Sequence, residues 1–222
     1  MDQERYELIR RIASVVAHEL RNPLAVINNS SYFVKTKLGA SAAKDPKVEK
    51  HLGIIASEVA RADRLISDML RFSRALELKA APAALGAVVE AALKDCAVPE
   101  GVKVKREKPK AEVAVRADAA ALSEAVRRVF ENAVEAAGAS GTVTVAWGAR
   151  AGSAFVEVRD SGPGIKPEDL PKVLHPFYTT KPRGLGLGLA VAEKIVSAHG
   201  GRVEAGNASG GGAVLTLTLP KA

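Results

Sequence analysis

In the stretch VVAHELRNPLAVINN, residues 15–29, a histidine stands beside a carboxylate with an amide one turn on: His18, Glu19 and Asn22. An imidazole flanked by a group that can orient it and take its proton suits nucleophilic attack on phosphorus. Zinc binding would want a second His or Cys on the same face within a turn, and the sequence has none there. On a helical wheel, Ile9, Ile12, Val16, Leu20, Ile27 and Val34 fall within about 40° of one direction, a stripe suited to a core. His18 points roughly 170° away from that stripe, which disfavours a packing role. Asn22 shares the His18 face, and Glu19 lies between that face and the stripe. Pro23 removes one backbone donor and loosens the helix at this turn.

Three later segments offer a nucleotide something to bind. FVEVRDSGPGI, residues 155–165, is a strand that delivers Asp160 into a tight turn with Gly162 and Gly164. A carboxylate can accept from an adenine amino group, and the glycines let a ligand approach the backbone closely. KPRGLGLGLAVAEKIV, residues 181–196, sets Gly184, Gly186 and Gly188 ahead of a helix whose free amides suit a polyphosphate. It is neither a Walker loop nor a dinucleotide fingerprint, because no Gly-Lys-Ser/Thr follows and the glycine spacing differs. In ADAAALSEAVRRVFENAVEAAG, residues 117–138, Asn132 stands inside a helix that asparagine does not favour, and its amide oxygen could serve a magnesium ion bridging phosphates. Judged alone, the glycine loop reads equally as a flexible connector and Asn132 as a surface residue. Their combination and order along one chain are specific.

These residues need two kinds of scaffold. Up to about residue 79 the chain has almost no glycine and repeats its apolar residues at three and four, so two long helices are expected, separated by LGASAAKDP at 38–46. Gly39 can end the first, and Asp45 with Pro46 can start the second. Such a hairpin cannot bury its apolar stripe against one partner helix, which favours a homodimer forming a four-helix bundle. From Ala80–Pro82 onward, VKVKRE, TVTVAW, FVEVRD and AVLTLTLP read as strands, with helices expected at 83–95, 118–137, 168–174 and 186–199. SGGG before the last strand reads as a hairpin turn. The expected class is α+β, with a helical hairpin over 1–79 and an α/β sandwich, one sheet covered on one face by helices, over 80–222.

Composition narrows the setting. The 222 residues are 47% hydrophobic, enough for two cores, and the single cysteine, Cys96, rules out an internal disulfide framework and fits a reducing cytoplasm. The sequence has no run of ~18 apolar residues. MDQERYELIRR at the start lacks the apolar core of a signal peptide, so if the protein senses anything across a membrane, the sensing part is expected outside this chain. A net charge of +7 could suit nucleic acid, anionic lipid, or a phosphorylated or acidic partner. The densest basic run, VKVKREKPK at 102–110, contains no aromatic residue, and with aromatics at only 4% a solvated strand and turn is expected there rather than a nucleic-acid platform.

Taken together, these motifs resemble those of sensor histidine kinases of two-component signalling. HELRNPL is similar to the H-box, FENAVEA to the N-box, DSGPG to the G1 box, HPFYTTK to the F-box and GLGLGL to the G2 box. Residues 4–78 resemble the dimerisation and phosphotransfer hairpin, and 80–220 the GHKL, or Bergerat, ATP-binding domain; the compact HPFYTTKPRGLGLGL looks most like the nitrogen-regulation branch. The resemblance implies ATP and Mg²⁺ as cofactors and a response regulator receiver domain as partner. It implies His18 as phosphoacceptor, Glu19 as its acid/base partner, and Asn22 at a position that helps water dephosphorylate the regulator. Asn132 would hold the metal and Asp160 would read adenine. Gly162, Gly164, Gly184, Gly186, Leu187 and Gly188 would shape the pocket and its lid, expected to be mobile from about 178 to 185. Thr180, Lys181 and Arg183 would line the phosphates, the last two as cations. Two positions depart from the pattern. Arg128 stands where many relatives have a second asparagine, so the metal either has one protein ligand fewer or Arg128 contacts phosphate; Glu135 stands where some carry a phosphate-binding lysine. No glutamate of the water-activating ATPases stands at 128, which favours phosphotransfer over hydrolysis.

Overall fold

The change of hydrophobic period near residue 80 separates two architectures. The computed structural model describes residues 16–17, 20–36, 46–94, 96–181 and 185–221, and the chain divides into two units, Met1–Ala75 and Leu76–Ala222. His18, Glu19, Arg183 and Gly184, and the turn residues Gly39 and Asp45, lie outside the described residues.

In the first unit, residues 20–36 (α1) and Pro46–Ser73 (α2) are helical. Pro46 takes the first helical position, where a missing amide proton costs no hydrogen bond. Arg21 joins the helices: its Nε donates to Asp63 Oδ1 at 3.2 Å and its Nη2 to Ser67 Oγ at 3.2 Å. From that side of the helix Ala17 is fully buried, while Leu24 and Ser31 are half-buried. The stripe marked by the wheel behaves differently. Val16, Leu20, Ile27 and Val34 remain 38–47% exposed, as do Ile54 and Ile55 on α2 at 46% and 40%. Ala17, Ile66 and Phe72 are thus buried within one chain while a row of branched side chains remains in water, the pattern of one half of a larger bundle.

The second unit is built on a five-stranded sheet. In chain order its elements are β1 (Ala81–Ala84), α3 (Leu85–Lys94), β2 (Lys103–Glu107), β3 (Ala114–Ala117), α4 (Ala119–Ala137), β4 (Thr142–Arg150), β5 (Ser153–Asp160), α5 (Gly188–Ala198), β6 (Arg202–Asn207) and β7 (Ala213–Pro220). The sheet runs β2-β4-β5-β7-β6, with β2 parallel to β4 and the other pairs antiparallel, while β1 and β3 form a separate antiparallel pair. Alternation in the three central strands points Val143, Val145 and Trp147, then Ala154, Val156 and Val158, then Leu215, Leu217 and Leu219 to one buried face. Their register aligns Val145 with Val158 and Val158 with Leu215.

Helix α4 lies on that face against β4 and β5, flanked by α3 and α5. Its Leu122, Val126, Val129, Phe130 and Ala133 recur at three and four and are at most 1% exposed. Burying each of the larger ones contributes about 1.5–3 kcal/mol, and Phe130→Ala would cost roughly 3–5 kcal/mol. Asp118 caps the helix, its Oδ1 accepting from the amides of Ala120 and Ala121 at 3.1 Å, and Gly138 ends it at φ +71°.

Several local expectations are corrected. Residues 168–174 form successive turns rather than a helix. Leu170 and Val173 donate to carbonyls four residues back, but Asp169 and Lys172 donate to those three back, and Pro171 has no proton to give. The short strands β1, β3 and β6 were not expected; the first two have four residues each, too few to establish alternation. The basic run becomes β2, an edge strand, where Lys103 and Lys105 discourage further strand pairing. Lys108 and Arg106 pair with Glu90 of α3 at 2.9 and 3.4 Å and hold its carboxyl below the usual range, Lys108 contributing most. The glycine-rich turn before β7 is the expected hairpin, closed by Ala208 and Gly212 at 3.0 Å.

Candidate functional site

Asp160 ends β5 beside the start of β7, because the two strands are neighbours in the sheet. Its side chain is only 5% exposed, and Oδ1 accepts from the amides of Gly162 at 2.8 Å and Ala213 at 3.2 Å. One oxygen thus holds the turn together, which leaves Oδ2 to accept from a ligand. Gly162 is required by packing: a Cβ there would sit 2.4 Å from the carbonyl oxygen of Ala136 on α4. Gly164 adopts φ +78°, facing Asn207. Asn207 was not anticipated from sequence. At the end of β6 it mimics a strand partner, accepting from Ile165 N and donating to Ile165 O, both at 2.7 Å. Nothing local in GNASGGG signals a contact 42 residues away.

The segment after the 168–174 turns is folded back on the second glycine loop. Phe177 N donates to Gly186 O at 3.0 Å, and Phe177 holds φ +65°, a strained position for an aromatic residue. Gly186 has φ +67°, and a Cβ would lie 2.3 Å from Tyr178 O, so this position admits only glycine. The Tyr178 hydroxyl donates to Asp169, and that carboxylate pushes the phenol above its usual range by stabilising the protonated form. Leu187 caps α5 through its backbone and buries its side chain to 1% exposure, whereas the space beside the Gly188 Cα is open. Thr180 is exposed.

Lys181 connects this loop to α4. Its Nζ donates to Asn132 Oδ1 at 2.7 Å and to Glu135 Oε2 at 2.6 Å. Asn132, Lys181 and Glu135 therefore form one polar cluster, in which Glu135, a departure from the family pattern, shares the lysine with the asparagine. Arg128 is 8% exposed and its Nε and Nη2 donate to Glu124 Oε1 at 3.2 and 3.1 Å. Asn22 belongs to the other unit, exposed on α1. The second unit thus gathers Asn132, Asp160, Gly162, Gly164, Lys181, Gly186 and Gly188 from three separate stretches: α4, the turn after β5, and the loop that leads into α5. It offers a carboxylate oxygen, glycine-collared backbone and an ammonium, a set suited to a nucleotide's base and phosphates.

A sheet with helices on one face, carrying this site, is the layout of a GHKL-type ATP-binding unit, and a separate helical hairpin accompanies it. Residues 8–77 match the His Kinase A (phospho-acceptor) domain, and residues 117–222 match the histidine kinase-, DNA gyrase B- and HSP90-like ATPase family. Together the two matches cover most of the chain and support a sensor histidine kinase of two-component signalling. It is 32% identical over 222 residues to the sensor histidine kinase ZraS of Klebsiella oxytoca, aligning 98% of this chain with 47% of that protein. It is also 32% identical over 225 residues to the sensor protein FixL of Bradyrhizobium diazoefficiens, 98% of this chain with 45% of that one. The chain thus spans about half the length of the curated relatives it matches. Among solved structures, histidine kinase ThkA in complex with the response regulator protein TrrA superposes with a TM-score of 0.71 at 25% identity, covering 99% of this chain and 64% of that one. Full-length ShkA in complex with AMPPNP gives 0.73 at 20% identity, over 96% of this chain and 46% of that one, a likeness of fold.

Proposed function

We propose that this chain is the kinase portion of a two-component sensor, moving the γ-phosphoryl group of ATP to His18 and from there to an aspartate of a response regulator. The observation that carries the reading is the meeting of Lys181 with Asn132 beside the glycine-collared turn that starts at Asp160. Asp160 Oδ2 accepts from the adenine amino group, and the backbone at Gly186 and Gly188 lies along the phosphates, with Lys181 and Arg183 offsetting their charge. A ring nitrogen of His18 attacks the γ-phosphorus as the bond to the ADP oxygen breaks, and Glu19 takes the ring proton. The protein's contribution is positioning and charge neutralisation.

Asn132 fits a magnesium ion, since its amide oxygen already faces a cation, the Lys181 ammonium. Among the described residues no cluster of three or more His, Cys, Asp or Glu forms a metal centre, so most of the coordination shell would be phosphate oxygens and water, which suits magnesium. Bound there, the metal would screen phosphate charge during transfer.

The exposed row of Val16, Leu20, Ile27 and Val34 supports a homodimeric four-helix bundle. A response regulator docked on the hairpin is supported by the partner named in the ThkA complex, and Asn22 would position water for the reverse dephosphorylation. No described helix is long and apolar enough to cross a membrane, and the lone cysteine favours a cytoplasmic setting. The compact F-box to G2 spacing favours the nitrogen-regulation branch.

Incubation with γ-labelled ATP and Mg²⁺ tests the reading. It expects acid-labile, base-stable label mapping to His18 and absent from His18→Ala, with nucleotide binding intact. No label, with undiminished release of free phosphate by His18→Ala, would instead identify a GHKL-type ATPase.

A further inference from the structure

Glu135 lies three residues after Asn132 on α4, so the two side chains share one face a turn apart. Asn132 Oδ1 and Glu135 Oε2 converge on a single cation, Lys181 Nζ, at 2.7 and 2.6 Å. Four residues before Asn132, on the next turn, Arg128 is a cation engaged with Glu124 and cannot ligate a metal. Glu135 is thus the carboxylate that shares a cation with Asn132 Oδ1.

We propose that Asn132 and Glu135 together form the divalent-cation site of the nucleotide pocket, with Glu135 as second protein ligand and the Lys181 ammonium as the occupant when nucleotide is absent. This rests on the ATP reading of the same site. An amide oxygen and a carboxylate are both hard donors, and magnesium in nucleotide sites uses one or two carboxylates with phosphates and water. Mg–O distances of about 2.0–2.1 Å require the two oxygens to draw in by roughly half an ångström. The Glu135 side chain is 65% exposed and can make that adjustment. The displaced ammonium, 37% exposed and already beside the metal position, turns to the phosphate oxygens. Lys181 thus neutralises Glu135 in the empty site, and the metal does so in the filled one.

The alternative role for Glu135 is a tether that only holds Lys181 in place. Binding of a fluorescent ADP to the full chain, titrated with Mg²⁺ and repeated in EDTA, separates the two. For Glu135→Gln the Mg²⁺ concentration for half-maximal nucleotide binding is expected to rise about tenfold or more, the scale on which even outer partners of metal ligands act, while binding in EDTA changes less than about twofold. Lys181→Met keeps both oxygens and removes the competing cation, so its Mg²⁺ requirement is expected to fall. An unchanged Mg²⁺ requirement in Glu135→Gln, or an equal loss with and without metal, overturns the proposal. Failure of the parent chain to bind ADP at any Mg²⁺ concentration overturns the nucleotide reading beneath it.

Discussion

Asp160 divides its work between two oxygens, and two substitutions should separate the parts. Oδ1 accepts from two backbone amides, at 2.8 and 3.2 Å, which hold the turn after β5 to the start of β7. In Asp160→Asn the same two donors allow only the amide oxygen on that side, so the new NH₂ must point where Oδ2 pointed. The turn keeps its hydrogen bonds, but a donor now faces the adenine amino donor. Losing a charge-assisted hydrogen bond costs about 1.5–3 kcal/mol, a factor of roughly 10–150 in affinity. Asp160→Ala removes both functions. Each buried amide left without an acceptor costs about 1–3 kcal/mol, so at least about 2 kcal/mol of stability goes, or a melting temperature lower by roughly 4–8 °C in a unit of this size. Fluorescent-ADP titration and thermal unfolding of the two variants provide the comparison. Parent-like binding by Asp160→Asn would refute the adenine role, and equal melting of Asn and Ala variants would refute the structural role of Oδ1.

The acid limb of stability should trace to two carboxylates. Asp118 is held below its usual range, first by the Ala121 amide and then by that of Lys79, and Glu90 chiefly by Lys108. Folded values below the unfolded ones mean that the stabilisation is complete above the ordinary carboxylate range and is lost as pH falls through it, below about pH 4. Urea midpoints measured from pH 6 to 3 should fall less steeply for Asp118→Asn, which still caps α4 but does not titrate. Gly186→Ala forces a left-handed alanine against Tyr178 O, and nucleotide affinity is expected to drop at least tenfold in a fluorescence titration, with the far-ultraviolet dichroism unchanged. Ile27→Asp places a charge on the 47%-exposed site of the open stripe, and light scattering should show a shift from dimer to monomer; an unshifted mass would remove that stripe from the interface.

The long elements were legible because each repeats one period often enough to leave no alternative. The 28 residues of α2, the 19 of α4 and the alternating runs of β4, β5 and β7 identify themselves, and in α4 and the three strands the buried face follows from the period. Four-residue strands such as APAA carry no such signal, and in 168–174 Pro171, with Pro167 just before it, outweighs the helical composition. The site was legible as residue types: Asp160 before its glycines and Asn132 in its helix stand out locally, and the wheel set His18 apart from the apolar stripe. Partnership between distant segments was not. Asn207 holds Ile165 because β6 ends beside the turn that follows β5, and Lys181 meets Glu135 because the loop after Tyr178 folds back over α4. Local sequence thus determines what each residue could do, through side-chain chemistry and backbone preference. Hydrogen bonds spanning 42 to 53 residues depend on which strands, loops and helices become neighbours, and only the folded unit decides that.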